Sequence, residues 1–271
     1  MNIINFENIN VGYDEKIVLS DVSLQIKENE HWAILGANGS GKSTFMKLIQ
    51  SELHPRKNKP FKKEILGQST YSIFELKKKL GIITNDLHNY ISREGNFLTG
   101  YEVVVSGYYS SIGVFKHQDF TQEQHQKAQE TMAFLEIEHL KDKLVYSMST
   151  GELRKCIIGR ALIHEPKAFV LDEPTVGLDI KAQVNFLKML KKLSTTSSII
   201  LVTHHLEEIF EEITHIALIY KNTIYKSGKK KDILTSENLS EIFETNLSIN
   251  EKNERFYIED CPSWSTTIPP I

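Results

Sequence analysis

The sequence predicts an α/β fold: a mostly parallel sheet flanked by helices, an antiparallel β subdomain at the N-terminus, and a helical insertion. Three observations carry this. The short apolar run His31-Trp32-Ala33-Ile34-Leu35 leads into a glycine-rich loop and then into Phe45, Leu48 and Ile49 at helical spacing, a strand–loop–helix unit. Two later apolar runs end abruptly in Asp172-Glu173 and in His204-His205, as buried strands do when they deliver polar groups to one sheet edge. The first residues alternate as strands, whereas the stretch from 87 to about 147 is amide-rich and turns helical in its spacing.

Taken in order, Ile3-Ile4-Asn5-Phe6 and Val22-Ser23-Leu24-Gln25-Ile26 read as strands, with a turn over Gly12-Tyr13-Asp14-Glu15. Tyr13 is either an ordinary turn residue or an aromatic placed to stack on a base. The loop Gly36-Ala37-Asn38-Gly39-Ser40-Gly41-Lys42-Ser43-Thr44 satisfies G-x-x-x-x-G-K-[ST]. Gly36, Gly39 and Gly41 let successive N–H groups curl round a phosphate. Lys42 brings a point charge to the β- and γ-phosphates, and the Ser43 hydroxyl is a Mg²⁺ ligand of the right hardness. This loop is expected to bind a nucleotide, on a P-loop NTPase core.

Residues 53–63 carry five basic residues and two prolines, an exposed loop or edge strand to which no ligand is assigned. Gly81-Ile82-Ile83-Thr84 is a further short strand, ending in Asn85-Asp86. In the insertion Thr121 is expected to cap a helix. Met148-Ser149-Thr150-Gly151-Glu152 contains an S-x-x-E capping box. By itself the box marks an ordinary capped helix; with Gly151 beside it, the helix start is also an anion site. Asp172 is placed to hold Mg²⁺, and Glu173 to polarise a water for in-line attack. His204 is either structural or a hydrogen-bond donor to a γ-phosphate.

Composition sets limits. Thirty-two basic against 35 acidic side chains leave a net charge of −3, which argues against wholesale nucleic-acid binding. The two cysteines, Cys156 and Cys261, lack metal-ligand spacing and fit a reducing compartment. The apolar runs are too short to span a bilayer, and the first ten residues lack a signal-peptide core, so a cytoplasmic location is expected.

These motifs together resemble the nucleotide-binding domain of an ATP-binding-cassette (ABC) protein, from about residue 3 to 235. Its phosphate loop matches Gly36 to Thr44, and its signature, usually L-S-G-G-Q, matches Met148 to Glu152. Its Mg²⁺-and-base strand matches Phe169 to Glu173, and its S-A-L-D loop matches Val176-Gly177-Leu178-Asp179. Its switch histidine falls on His204 and its adenine-stacking aromatic on Tyr13. Two departures stand out: Asn85 occupies the family's Gln position, and Thr150 and Glu152 replace the usual Gly and Gln.

The resemblance implies a Mg²⁺-dependent ATPase that works as a head-to-tail homodimer, each ATP lying between one subunit's phosphate loop and the other's signature helix. Gly36, Asn38, Gly39, Ser40, Gly41, Lys42, Ser43, Thr44 and Tyr13 would bind ATP. Ser149, Gly151 and Asp179 would contact it or couple the sites across the interface. Ser43, Asp172 and Asn85 would serve the metal, and Glu173, His204 and Lys42 the chemistry. It also implies an ABC ATPase domain over 1–235, with a helical subdomain at about 87–160, and a partly flexible extension over 236–271; the Cys261-Pro262-Ser263-Trp264 tail, a terminal segment, is expected to be poorly ordered. The implied partners are separate membrane-spanning permease subunits of an importer, with the chain on the cytoplasmic face of the membrane. A soluble ABC ATPase acting on a protein or ribonucleoprotein assembly is the alternative, supported by the basic stretch and the missing Gln.

Overall fold

The structure, a computed structural model, describes residues 1–57, 59–114, 118–252 and 255–260. Its first elements are β1 (Asn2–Tyr13), β2 (Lys16–Lys27), β3 (Trp32–Leu35), α1 (Lys42–Ile49) and β4 (Lys62–Ile65). There follow α2 (Ile73–Lys79), β5 (Leu80–Ile83), α3 (Asn85–Glu94), α4 (Gly100–Val105), α5 (Gln122–Phe134), α6 (Thr150–Leu162), β6 (Ala168–Asp172) and α7 (Ile180–Leu193). The last part holds β7 (Ser198–Thr203), β8 (His215–Tyr220), β9 (Thr223–Lys229), α8 (Lys230–Ile233), α9 (Ser236–Phe243), β10 (Ser248–Lys252) and β11 (Arg255–Asp260). Two compact units result, one from Met1–Thr70 with Ile200–Ile271, the other from Tyr71–Ile199.

In the first unit β2, β1 and β4 make a three-stranded antiparallel sheet, in that order. Val22, Leu24 and Ile26 are buried while Ser23 and Gln25 are exposed, so the alternation read from the sequence is the pleat itself. β1 is longer than its apolar run implied. Register shifts between Phe6 and Ile9 and between Ile9 and Val11 break the period, with Asn8 at φ 53°, so only its first residues look strand-like in sequence. Consequently Gly12 and Tyr13 lie in the strand, and the turn is confined to Asp14-Glu15. The basic stretch ends in β4, one of the two edge strands of this sheet.

β3 lies between two parallel neighbours, Ile34 opposite Val202 of β7 on one side and Ala217 of β8 on the other. With neighbours on both sides and all four residues buried, it must be apolar throughout, which is why it reads as an uninterrupted run. β8 and β9 close as an antiparallel hairpin. Phe45 of α1 meets Phe6 edge-on at 6.0 Å, seating the helix on the small sheet. Thr235 caps α9, and β10 pairs with β11. The Cys261–Trp264 end lies outside the described residues.

In the second unit β5 and β6 run parallel, Ile83 opposite Leu171. Helices α4, α5 and α6 pack on one another, and Val103, Val104, Met132, Ile157 and Ile158 on them are buried. Capping boxes start all three: Thr99 with Glu102, Thr121 with Gln124, and Ser149 with Glu152. A β-branched run such as Val103-Val104-Val105 is helical here because the box satisfies the first amides and the tertiary contacts override a modest propensity. Among the described residues no helix is long and apolar enough to cross a membrane.

Candidate nucleotide site

In the first unit, β3 delivers the chain to the loop at Gly36, and α1 begins at Lys42. Gly41 is the N-cap, at φ 111° and with no side-chain cap, a conformation reserved for glycine. The first intrahelical bond runs from the Phe45 amide to Gly41 O at 2.9 Å. First-turn amides have no intrahelical acceptor, so this helix end faces the loop with N–H groups and the positive pole of its dipole.

The Lys42 side chain is buried and its Nζ donates to Gly36 O at 2.8 Å and Ala37 O at 3.1 Å, which holds the loop in an arch. Ser40 Oγ is buried and makes no hydrogen bond. An unsatisfied buried hydroxyl costs roughly 1–3 kcal/mol, and a phosphate oxygen would remove that cost. A Cβ on Gly39 would meet nothing within 4 Å, while Asn38 and Ser43 are exposed and Thr44 is buried. The donor set and the open face fit a polyphosphate with its cation.

Thr203 of β7 is in register with Leu35 of β3, so His204 and Gly36 leave the same edge of adjacent parallel strands. The His204 and His205 rings lie 4.0 Å apart, and the His205 amide donates to Thr203 Oγ1 at 2.9 Å. Tyr13, at the end of β1, has Lys47 Nζ of α1 5.4 Å from its ring centroid. The structure thus brings Tyr13 to the helix that follows the phosphate loop.

In the second unit the register of β5 with β6 carries Thr84-Asn85 and Asp172-Glu173 out of one edge together. Glu173 adopts φ 43°, a left-handed conformation costing a non-glycine residue about 1–3 kcal/mol, and it turns the chain sharply after the metal-ligand candidate Asp172. Asp179 caps α7, its Oδ1 accepting from the Ala182 amide at 2.7 Å. Ser149 Oγ accepts from the Glu152 amide at 3.3 Å and remains exposed. A Cβ on Gly151 would meet only Ala182 and Leu178, both at 3.6 Å, an ordinary contact. The monomer therefore does not itself require glycine at 151. Burial alone would raise the Glu152 carboxyl, but hydrogen bonds from Lys143 and from the Ser149 amide outweigh it and hold the group below the usual carboxylate range.

Two arginines escaped the sequence reading. Arg56, from the stretch given no role, donates through Nη2 to Tyr13 O at 3.4 Å, Lys16 O at 3.3 Å and Asp14 O, pinning the hairpin that carries Tyr13. Arg154, two residues beyond the signature, is 3 % exposed and binds Asn85 and the loop after Glu173. Their acceptors are mostly backbone carbonyls remote in sequence, which leave no local pattern. The only available signal was an arginine at the buried phase of α6.

The chain matches the family model for ABC transporters over residues 19–176, more than half its length. It belongs to the ABC transporter ATP-binding family. It is 32 % identical over 267 residues to an ABC transporter ATP-binding protein of Streptococcus mutans, covering 96 % of this chain and 99 % of that protein. It is 31 % identical to the energy-coupling factor transporter ATP-binding protein EcfA2 of Streptococcus pneumoniae, covering 85 % and 82 %. The crystal structure of an ATP-binding cassette of an ABC transporter in its ADP conformation superposes with a TM-score of 0.74 at 25 % identity, covering 90 % of this chain and 99 % of that one. The ABC fold expected from the six motifs is therefore the fold of this chain.

Proposed function

We propose that the chain is the ATP-hydrolysing subunit of an ABC importer, two copies closing head to tail around two ATP molecules to drive separate membrane subunits. The observation that carries this reading is the Gly36–Thr44 loop, an arch closed by Lys42 with an uncapped helix end and an orphaned Ser40 hydroxyl. Bound Mg²⁺ would neutralise β- and γ-phosphate charge, with Ser43, Asp172 and Asn85 the residues to hold it. Glu173 takes a proton from the attacking water as it approaches the γ-phosphate, and His204 orients that phosphate. Such catalysis is chiefly positioning and electrostatics, so closure of the dimer assembles it.

Pairing is supported by the surface around Asp179. Ser149 and Asp179 are exposed, and Val176 and Ile180 are 40 % and 81 % exposed. A partner's ATP would supply a γ-phosphate for Ser149 and the Gly151 amide. The importer direction and the location on the cytoplasmic face of the membrane rest on likeness to transporter subunits. Four of the five basic side chains in the stretch behind the assembly-factor alternative have partners within the chain. Arg56 holds the hairpin, Lys59 pairs with Asp21, Lys62 pairs with Glu7 and Glu64, and Lys63 donates to Ser51.

Glu173→Gln tests the whole reading. The amide cannot accept a proton, so turnover is expected to fall about 10²–10⁴-fold while ATP still binds. The variant should double its mass by light scattering with ATP and not with ADP. Wild-type turnover would remove Glu173 from the base role, and a single mass in every state would sink the composite site.

A further inference from the structure

Arg154 joins three segments that the proposed reaction uses. Its Nη2 donates to Asn85 Oδ1 at 2.8 Å, and its Nη1 donates to Val176 O at 3.3 Å and to Pro174 O. It stands on α6, whose first turn is the signature, while Asn85 opens α3. Pro174 and Val176 lie between Glu173 and Asp179. A guanidinium that is 3 % exposed must have its donors satisfied, because a buried charge without acceptors is costly. Its fork is planar and rigid, so satisfying it fixes the distance from the Asn85 amide to the Pro174–Val176 backbone.

The contact also accounts for the shorter side chain at 85. A glutamine would carry its oxygen about 1.5 Å further from the backbone, by one C–C bond, into a space the guanidinium occupies. Asn85 Oδ1 keeps a second lone pair for a water or cation. α3 also packs directly against α6, the helix that carries Arg154.

We propose that Arg154 is a positioning residue that clamps Asn85 and the Glu173–Asp179 loop into one geometry, so that a displacement of α3 reaches the hydrolytic residues. The inference rests on the roles given above to Asn85, Glu173 and Asp179. It adds the device that couples them and a reason for asparagine at 85. Lysine in place of Arg154 keeps the charge but not the fork, and alanine in place of Asn85 removes the acceptor and leaves the guanidinium its carbonyls.

The test compares Arg154→Lys, Asn85→Ala and the double variant in the full chain, reading ATP affinity, kcat, KM and melting temperature. Each single change is expected to lower kcat about tenfold, ~1.4 kcal/mol of barrier, with KM and ATP affinity within about threefold. The double variant should be no slower than the slower single, because both remove one contact. Wild-type kcat in Arg154→Lys would overturn the proposal. So would losses that multiply in the double variant, or a lower melting temperature with kcat unchanged in the cold, which is what a purely structural arginine predicts. Wild-type turnover in Glu173→Gln, measured alongside, would instead remove the base assignment, and the clamp would fall with it.

Discussion

Lys143 Nζ donates to both carboxylate oxygens of Glu152, at 2.9 and 2.8 Å, while one of those oxygens also accepts from the Ser149 amide at 2.7 Å. The residue that replaces the family's glutamine thus does two jobs, closing the capping box and neutralising a lysine. Glu152→Gln keeps the box, which accepts either residue at N3, and loses the ion pair. The expected cost near pH 7 is about 0–1 kcal/mol, or roughly 2–4 °C in melting temperature for each kcal/mol. Because the folded carboxyl titrates below its usual 4.5, the ion-pair stabilisation is present above that value and lost as pH falls through the lower one. The gap between wild type and Glu152→Gln should therefore close well below pH 4.5. A gap that ignores pH would show that the pair does not form in solution.

Tyr13 presents 42 % of its surface, with Lys47 over the ring and Arg56 on its carbonyl. Base–aromatic stacking is worth about 1–3 kcal/mol, so Tyr13→Ala should weaken ATP binding by roughly 5- to 150-fold, and Tyr13→Phe should restore most of it. Arg56→Met leaves the ring in place but frees the hairpin, and a smaller loss is expected. Titration calorimetry decides; equal affinity in Tyr13→Ala would leave Tyr13 an ordinary strand-end residue.

Lys42→Ala and His204→Ala should separate binding from chemistry. Lys42 shapes the loop through Gly36 O and Ala37 O as well as supplying charge, so its removal should abolish measurable ATP affinity. His204 follows β7 outside that arch, and His204→Ala should slow turnover by about 10²-fold with affinity changed less than about threefold. Equal losses of affinity in both variants would place His204 in ground-state binding.

Cys156 is fully buried in α6, and burial pushes its thiol up to about 12. The thiolate is the reactive form, so alkylation at neutral pH should spare Cys156 until the chain unfolds. Peptide mapping after a native iodoacetamide pulse checks this, and rapid native modification would mean that α6 opens readily.

The capped helices were legible because a capping box acts within three residues: Thr121 and Ser149 both accept where the pattern places them. The full length of β1 was not, because bulges near Asn8 throw the apolar residues out of phase. The β10–β11 hairpin escaped for a related reason. Ser248–Lys252 is polar or half-exposed along its length and carries no alternation to read.

By itself the sequence determined which chemical groups the protein has and the order in which its strands present them. A glycine loop, an acid pair and a histidine at the ends of apolar runs are local signals, written over a few residues and set by sterics and burial. The tertiary structure alone decided that Arg154 meets Asn85, 69 residues away, and that Arg56 holds the Tyr13 hairpin. An arginine in a sequence is a charge without an address. Its partner is chosen when helices pack and a buried fork must find acceptors within hydrogen-bond reach, and those carbonyls leave no trace in residue identity.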